Sequence, residues 1–263
     1  MKIIILSLLV FIPTFAHSQS ICDRYDEGLV EYLKVEETRI SFKNKGGLFN
    51  GGVCWWHSRL QRSSAYLAIY HPEISRPTNH EAYIILKKLK EMKSYVVIPG
   101  FDNFLDFTNA YKVEAQKVLD EWQIEDGFIN QQWIRGISGN HKLPANQMKL
   151  RIETIHTSFK QSKNPLWVMA QIKGITAHAF LILDMYYKNG YWAISVIDSN
   201  HPLKTIELTY HEGDESLEHP VDGYKFMIYT GFNNDLNKMN KIVSRACLGF
   251  DYLPLPDAEI EIK

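Results

Sequence analysis

The chain has 263 residues and balances 29 Lys and Arg against 30 Asp and Glu, for a formal net charge of −1. A neutral chain without a basic excess is not built to bind nucleic acid, and it lacks the acidic run of a metal buffer. Its hydrophobic fraction of 45% is that of a globular protein with a real core.

Residues 1–18 are expected to be a secretory signal peptide. Met1-Lys2 supplies a charged start, residues 3–15 an apolar run, and Ala16-His17-Ser18 a small-x-small cleavage pattern. The run is short for a bilayer-spanning helix, which needs about 20 residues, and no later segment predicts a membrane span. The expected location is therefore secreted or periplasmic. The expected mature chain, 19–263, suits one large domain or two small ones.

Three cysteines occur, Cys22, Cys54 and Cys247. In an oxidising compartment thiols tend to pair, and an odd count leaves one free or paired outside the chain. Cys22 and Cys247 sit near the two ends of the mature chain, and termini often lie close together. They are the candidate disulfide, with Cys54 as the free thiol.

In chain order, 27–42 is mixed and reads as a short helix or strand. The stretch N-K-G-G-L-F-N-G-G at 44–52 is a loop. Residues 54–69 predict a helix stopped by Pro72. A second helix follows Thr78-Asn79, with Asn79 as the expected cap. Residues 95–98 predict a short strand, 104–122 a mostly helical stretch, 127–143 an irregular one, and 144–159 a further helix. From 166 onward the pattern turns to strands, at 166–172, 177–185, 191–198 and 224–229. Asn189-Gly190 marks a hairpin tip between the second and third of these. Helices first and antiparallel strands later predict an α+β fold.

Cys54 follows the glycine-rich loop and opens a helix. The unpaired N–H groups and positive dipole end there stabilise a thiolate, and a backbone N–H is placed to hold an oxyanion. Among ten histidines, His178 opens the apolar strand T-A-H-A-F-L-I-L. Alternation puts it on one face with Phe180 and Ile182. If Lys188-Asn189-Gly190 is the hairpin turn, Asp198 lies opposite Phe180 or its neighbours. A carboxylate there can fix the His178 tautomer and support its imidazolium, and Asn200 shares that face as an alternative. His57 is nearer Cys54 in sequence but faces sideways on the helix. No H-E-x-x-H, paired C-x-x-C, G-x-G-x-x-G or Walker loop occurs, so neither a metal nor another cofactor is expected.

The order Cys54, His178, Asp198 or Asn200 resembles that of papain-like cysteine peptidases. G-G-V-C-W at 51–55 is similar to their G-x-C-W segment, and D-S-N at 198–200 to that of bacterial members using Asp. The resemblance implies a helical part carrying the cysteine, packed against an antiparallel sheet carrying His and Asp. It also implies a single catalytic domain over 19–263 and hydrolysis of peptide or isopeptide bonds in a protein or peptide substrate. Three features depart from the family. Asp198-Ser199-Asn200 stands where papain-type enzymes carry an Asn-Ser-Trp segment. Leu48 stands where papain-type enzymes carry the oxyanion-hole Gln, leaving Asn50 or Asn44 as candidate amides. Gly51 replaces a disulfide-forming Cys. A transglutaminase-like or amidase acyl transferase, and an inactive binding protein on the same scaffold, are the alternatives. Oligomeric state is not legible.

Overall fold

The computed structural model describes residues 21–47, 52–126, 139–174, 176–231 and 233–247. The expected signal peptide and Asn50 lie outside them. The described residues open with two short helices, α1 (Ile21–Glu27) and α2 (Leu29–Lys34), and a 3-10 turn at Glu36–Thr38. Then come α3 (Cys54–Leu67), β1 (Ala68–His71), α4 (Asn79–Glu91), β2 (Val96–Pro99), α5 (Phe104–Ala110), α6 (Lys112–Ile124) and α7 (Ala145–Ser162). The second half is β3 (Leu166–Ile172), β4 (Ala177–Lys188), β5 (Tyr191–Asp198), β6 (Thr205–His211), β7 (Leu217–Glu218) and β8 (Lys225–Gly231), closed by α8 (Asn233–Cys247). This is a mixed α+β fold.

Strands β3 to β8 form one antiparallel sheet in the order β6-β5-β4-β3-β8-β7. Its two edge strands approach each other, so the sheet is nearly closed. Helix α3 packs on β3 and β4 and is surrounded by α2, α4, α6 and α8. Thirteen of its fourteen residues are buried, which is why its apolar residues show no clean stripe: a helix buried all round needs none. Its polar side chains are paired instead. Gln61 accepts from the Ile40 N–H at 2.6 Å and donates to the Thr38 carbonyl at 2.9 Å. Arg59 reaches Asp126 at 2.6 Å and Asp235 at 2.8 Å, tying α3 to the end of α6 and to α8. Cys22 and Cys247 form a disulfide that joins α1 to α8.

Several boundaries differ from the sequence expectation. The α3 helix ends at Leu67, before Pro72, because Ala68–His71 leaves it to pair in parallel with Val96–Pro99. That pairing is non-local and has no signature in the local pattern. The cap of α4 is Thr78, not Asn79: its hydroxyl accepts from the Glu81 N–H while Glu81 accepts from the Thr78 N–H at 2.7 Å, a full capping box. Tyr111 divides the expected long helix into α5 and α6.

The β4–β5 hairpin sets the site. Asn189 (φ 51°) and Gly190 (φ 89°) form its two-residue tip; Lys188, expected in the turn, instead ends β4 and pairs with Tyr191. Continued unshifted, that register would bring Asp198 opposite Leu181, on the wrong face. A β-bulge between Ile182 and Asp184 takes up one residue of β4, so Phe180 pairs with Asp198. Asp198 thereby shares a face with Phe180 and His178.

Candidate functional site

Cys54 is the first residue of α3 and the free thiol of the chain, 6% exposed. The ladder of α3 starts with the His57 N–H on the Val53 carbonyl at 2.8 Å. The N–H groups of Cys54, Trp55 and Trp56 therefore precede it and present the positive helix end at the thiol. The approach is held by α6. Gln116, Asp120 and Gln123, three or four residues apart on one face, bind the Lys45 carbonyl at 2.8 Å, the Gly47 N–H at 2.9 Å and the Gly52 carbonyl at 2.9 Å. Gly52 has φ +84°, and a Cβ there would stand 2.7 Å from Asn44 Nδ2. A side chain at 52 is excluded by both conformation and space.

His178 is 4% exposed at the start of β4. Its Nε2 donates to Asp198 Oδ1 at 2.6 Å, and the residue lines the same cleft as Cys54. The Cys54 Sγ also lies 3.8 Å from the carbonyl of Ala177, the neighbour of His178. Burial pushes the His178 imidazolium toward losing its proton. The Cys54 charge and the Asp198 hydrogen bond more than reverse this, raising the group to about 10. Asp198 is fully buried. Burial pushes its carboxyl up, but the hydrogen bonds from His178 and the Asn200 N–H, with His219 close by, hold it well below the usual carboxylate range.

The other predicted residues have different tasks. Asn200 does not reach His178. Its N–H donates to Asp198 Oδ1 at 2.8 Å, and its side-chain oxygen accepts from Asn44 Nδ2 at 3.2 Å. Asn44 in turn accepts from the Val53 N–H and donates its own N–H to the Ser199 carbonyl at 2.7 Å. Asn44 therefore stitches the loop before Cys54 to the D-S-N segment after β5. His57 is buried against the Phe42 carbonyl at 2.9 Å, and burial lowers it to about 4, so it is a neutral structural anchor. A cleft of about 520 Å³ opens over these groups, lined by Asn44, Gly52, Cys54, His178, Asn200 and Tyr224 among others.

Sequence reasoning missed His219 and the α6 polar face. His219 lies in the turn after β7, fully buried, with Nε2 3.1 Å from Asp198 Oδ2. The signal for α6 was present as Gln, Asp and Gln at helical spacing, but a polar stripe reads first as a solvated face. Asp198, His201 and Asp222 also bring ligand-type atoms within 4.8 Å of one another. Those atoms are engaged by protein: His201 Nε2 lies 3.1 Å from Asp222, and Asp198 receives His178 and the Asn200 N–H. The group runs outward from buried Asp198 through half-buried His201 to exposed Asp222.

No family model, no curated protein and no solved structure matches the chain.

Proposed function

We propose that the chain is a papain-like thiol hydrolase, a cysteine peptidase that acts outside the cytoplasm. The observation that carries this reading is that His178, hydrogen-bonded to buried Asp198, lines one cleft with Cys54, the free thiol at the start of α3. The Cys22–Cys247 disulfide and the expected leader support an oxidising location.

In this reading His178 takes the Cys54 proton, and the thiolate attacks the carbonyl carbon of a peptide or isopeptide bond. The oxyanion is met by the Cys54 N–H and by the Asn44 Nδ2 hydrogen not given to Asn200; Asn44 takes the place of the family's glutamine. The C–N bond breaks as His178 returns the proton to the leaving amine. Water, deprotonated by His178, then cleaves the thioester and releases the acid and the thiol. Asp198 holds the imidazole in the Nε2–H tautomer throughout.

The test is alkylation of Cys54 by iodoacetamide as a function of pH, in wild type and His178→Ala, beside hydrolysis of an unfolded protein substrate. The expected result is rapid wild-type alkylation well below the pH of an ordinary thiol, about 8.5, lost in His178→Ala, and hydrolysis abolished in Cys54→Ala. Equal alkylation profiles in both proteins, or hydrolysis that survives Cys54→Ala, overturn the reading.

A further inference from the structure

Asp198 has two carboxylate oxygens and a histidine on each. Oδ1 takes His178 Nε2 at 2.6 Å, and Oδ2 faces His219 Nε2 at 3.1 Å. Neither side chain of the second pair is exposed. The tautomer of His219 follows from its other nitrogen. Nδ1 accepts the Asp222 N–H at 3.0 Å, so the ring proton is on Nε2; this nitrogen and Asp198 Oδ2 are buried without another hydrogen-bond partner, 3.1 Å apart but off the line of a full hydrogen bond. The ring cannot turn freely. It stacks at 10° on Tyr224 (4.9 Å) and on Phe180 (6.1 Å), and at 16° on His201 (6.0 Å). Its backbone is closed into a tight turn, with the His219 N–H on the Tyr224 carbonyl at 2.9 Å and the Gly223 N–H on the His219 carbonyl at 2.8 Å.

We propose that His219 is a positioning residue of the site: as a neutral imidazole it donates from Nε2 to Oδ2 of Asp198 and so holds the carboxylate turned with Oδ1 toward His178. The proposal rests on the reading of Cys54, His178 and Asp198 as the working set. It explains a choice of residue. An Asn at 198 accepts through one atom only, and its Nδ2 hydrogens would meet one of two N–H donors. Between two donating histidines a carboxylate is the side chain that satisfies both. Through Tyr224, whose ring also meets His178 edge-on at 6.2 Å and lines the cleft, the same stack connects His219 to the wall where substrate would sit.

Nitrogen-15 NMR of the wild-type protein reads the tautomer directly. The expected result is His219 with Nε2 protonated and Nδ1 bare; the reverse tautomer, or a ring protonated on both nitrogens at neutral pH, overturns the proposal. His219→Phe keeps a stacking ring and drops the donor, while His219→Gln keeps an N–H. In His219→Phe the downfield proton of the His178–Asp198 hydrogen bond should shift, and Cys54 alkylation at mildly acidic pH should fall by about 10- to 100-fold, with His219→Gln recovering most of it. A downfield proton and alkylation rate unchanged in folded His219→Phe, with only the melting temperature lowered, make His219 merely structural and overturn the proposal. Should His219→Phe not fold, the wild-type tautomer and the downfield proton of His219→Gln decide. If wild-type Cys54 alkylates as a free thiol, the hydrolase reading fails, whereas the two NMR readouts still decide the role of His219.

Discussion

His178 Nε2 stands 2.6 Å from Asp198 Oδ1, and Asp198 is fully buried. The bond is set by the backbone register of one hairpin and by a carboxylate with donors on both sides. Asp198→Asn preserves the shape and removes one acceptor. Peptide hydrolysis should fall by about 10²- to 10⁴-fold, chiefly in kcat, because the His178 tautomer is no longer held. Steady-state kinetics on the folded variant check this.

The pair also links folding to pH. The folded-state value of His178 is raised from its ordinary 6.5 to about 10, so the stability it contributes is complete below 6.5 and is lost as pH rises through about 10. Asp198 is shifted down from its ordinary 3.8, so its contribution is present above 3.8 and is lost as pH falls through the lowered value. Because the Cys54 charge helps raise His178, Cys54→Ala should begin losing stability at a lower alkaline pH than wild type. Denaturant unfolding at a series of pH values measures the difference; coincident alkaline limbs would contradict it.

Gly52→Ala should damage both stability and reactivity. The φ of +84° and the 2.7 Å approach of a Cβ to Asn44 Nδ2 give a destabilisation of about 1–3 kcal/mol. Displacing Asn44 frees the Val53 N–H and the Asn200 side chain together, so alkylation of Cys54 should slow even in the folded fraction. Thermal melts and iodoacetamide kinetics separate the two effects.

Replacing Cys22 and Cys247 by Ala should lower stability by about 2–5 kcal/mol without changing the alkylation profile of Cys54. The disulfide joins α1 and α8, and neither Cys22 nor Cys247 lines the cleft. Urea unfolding with and without reductant gives the magnitude.

Local patterns carried the hairpin and the helix that begins at Cys54. Asn189-Gly190 marks a tip that only residues tolerant of positive φ adopt, and the glycine loop ahead of Cys54 marks a helix start. The alternation of β4 told which residues join His178 on one face. The bulge between Ile182 and Asp184 was not legible: no residue type marks it, yet it decides which face Asp198 occupies. The β1–β2 pair, the thin strand β7 and the arrival of His219 beside Asp198 are all products of non-local packing. His219 itself, in H-P-V-D-G-Y, reads as an ordinary turn residue, since nothing local shows that a buried carboxylate waits across the sheet.

The disulfide between Cys22 and Cys247 has one more consequence. Cys54, His178 and Asp198 all lie between the two bridged positions, so the entire site is inside a covalent ring. A single cut by any protease at any bond between 22 and 247 opens that ring without separating its pieces. The nicked chain remains one molecule, its parts held at high effective concentration, until the bridge is reduced or a second cut is made.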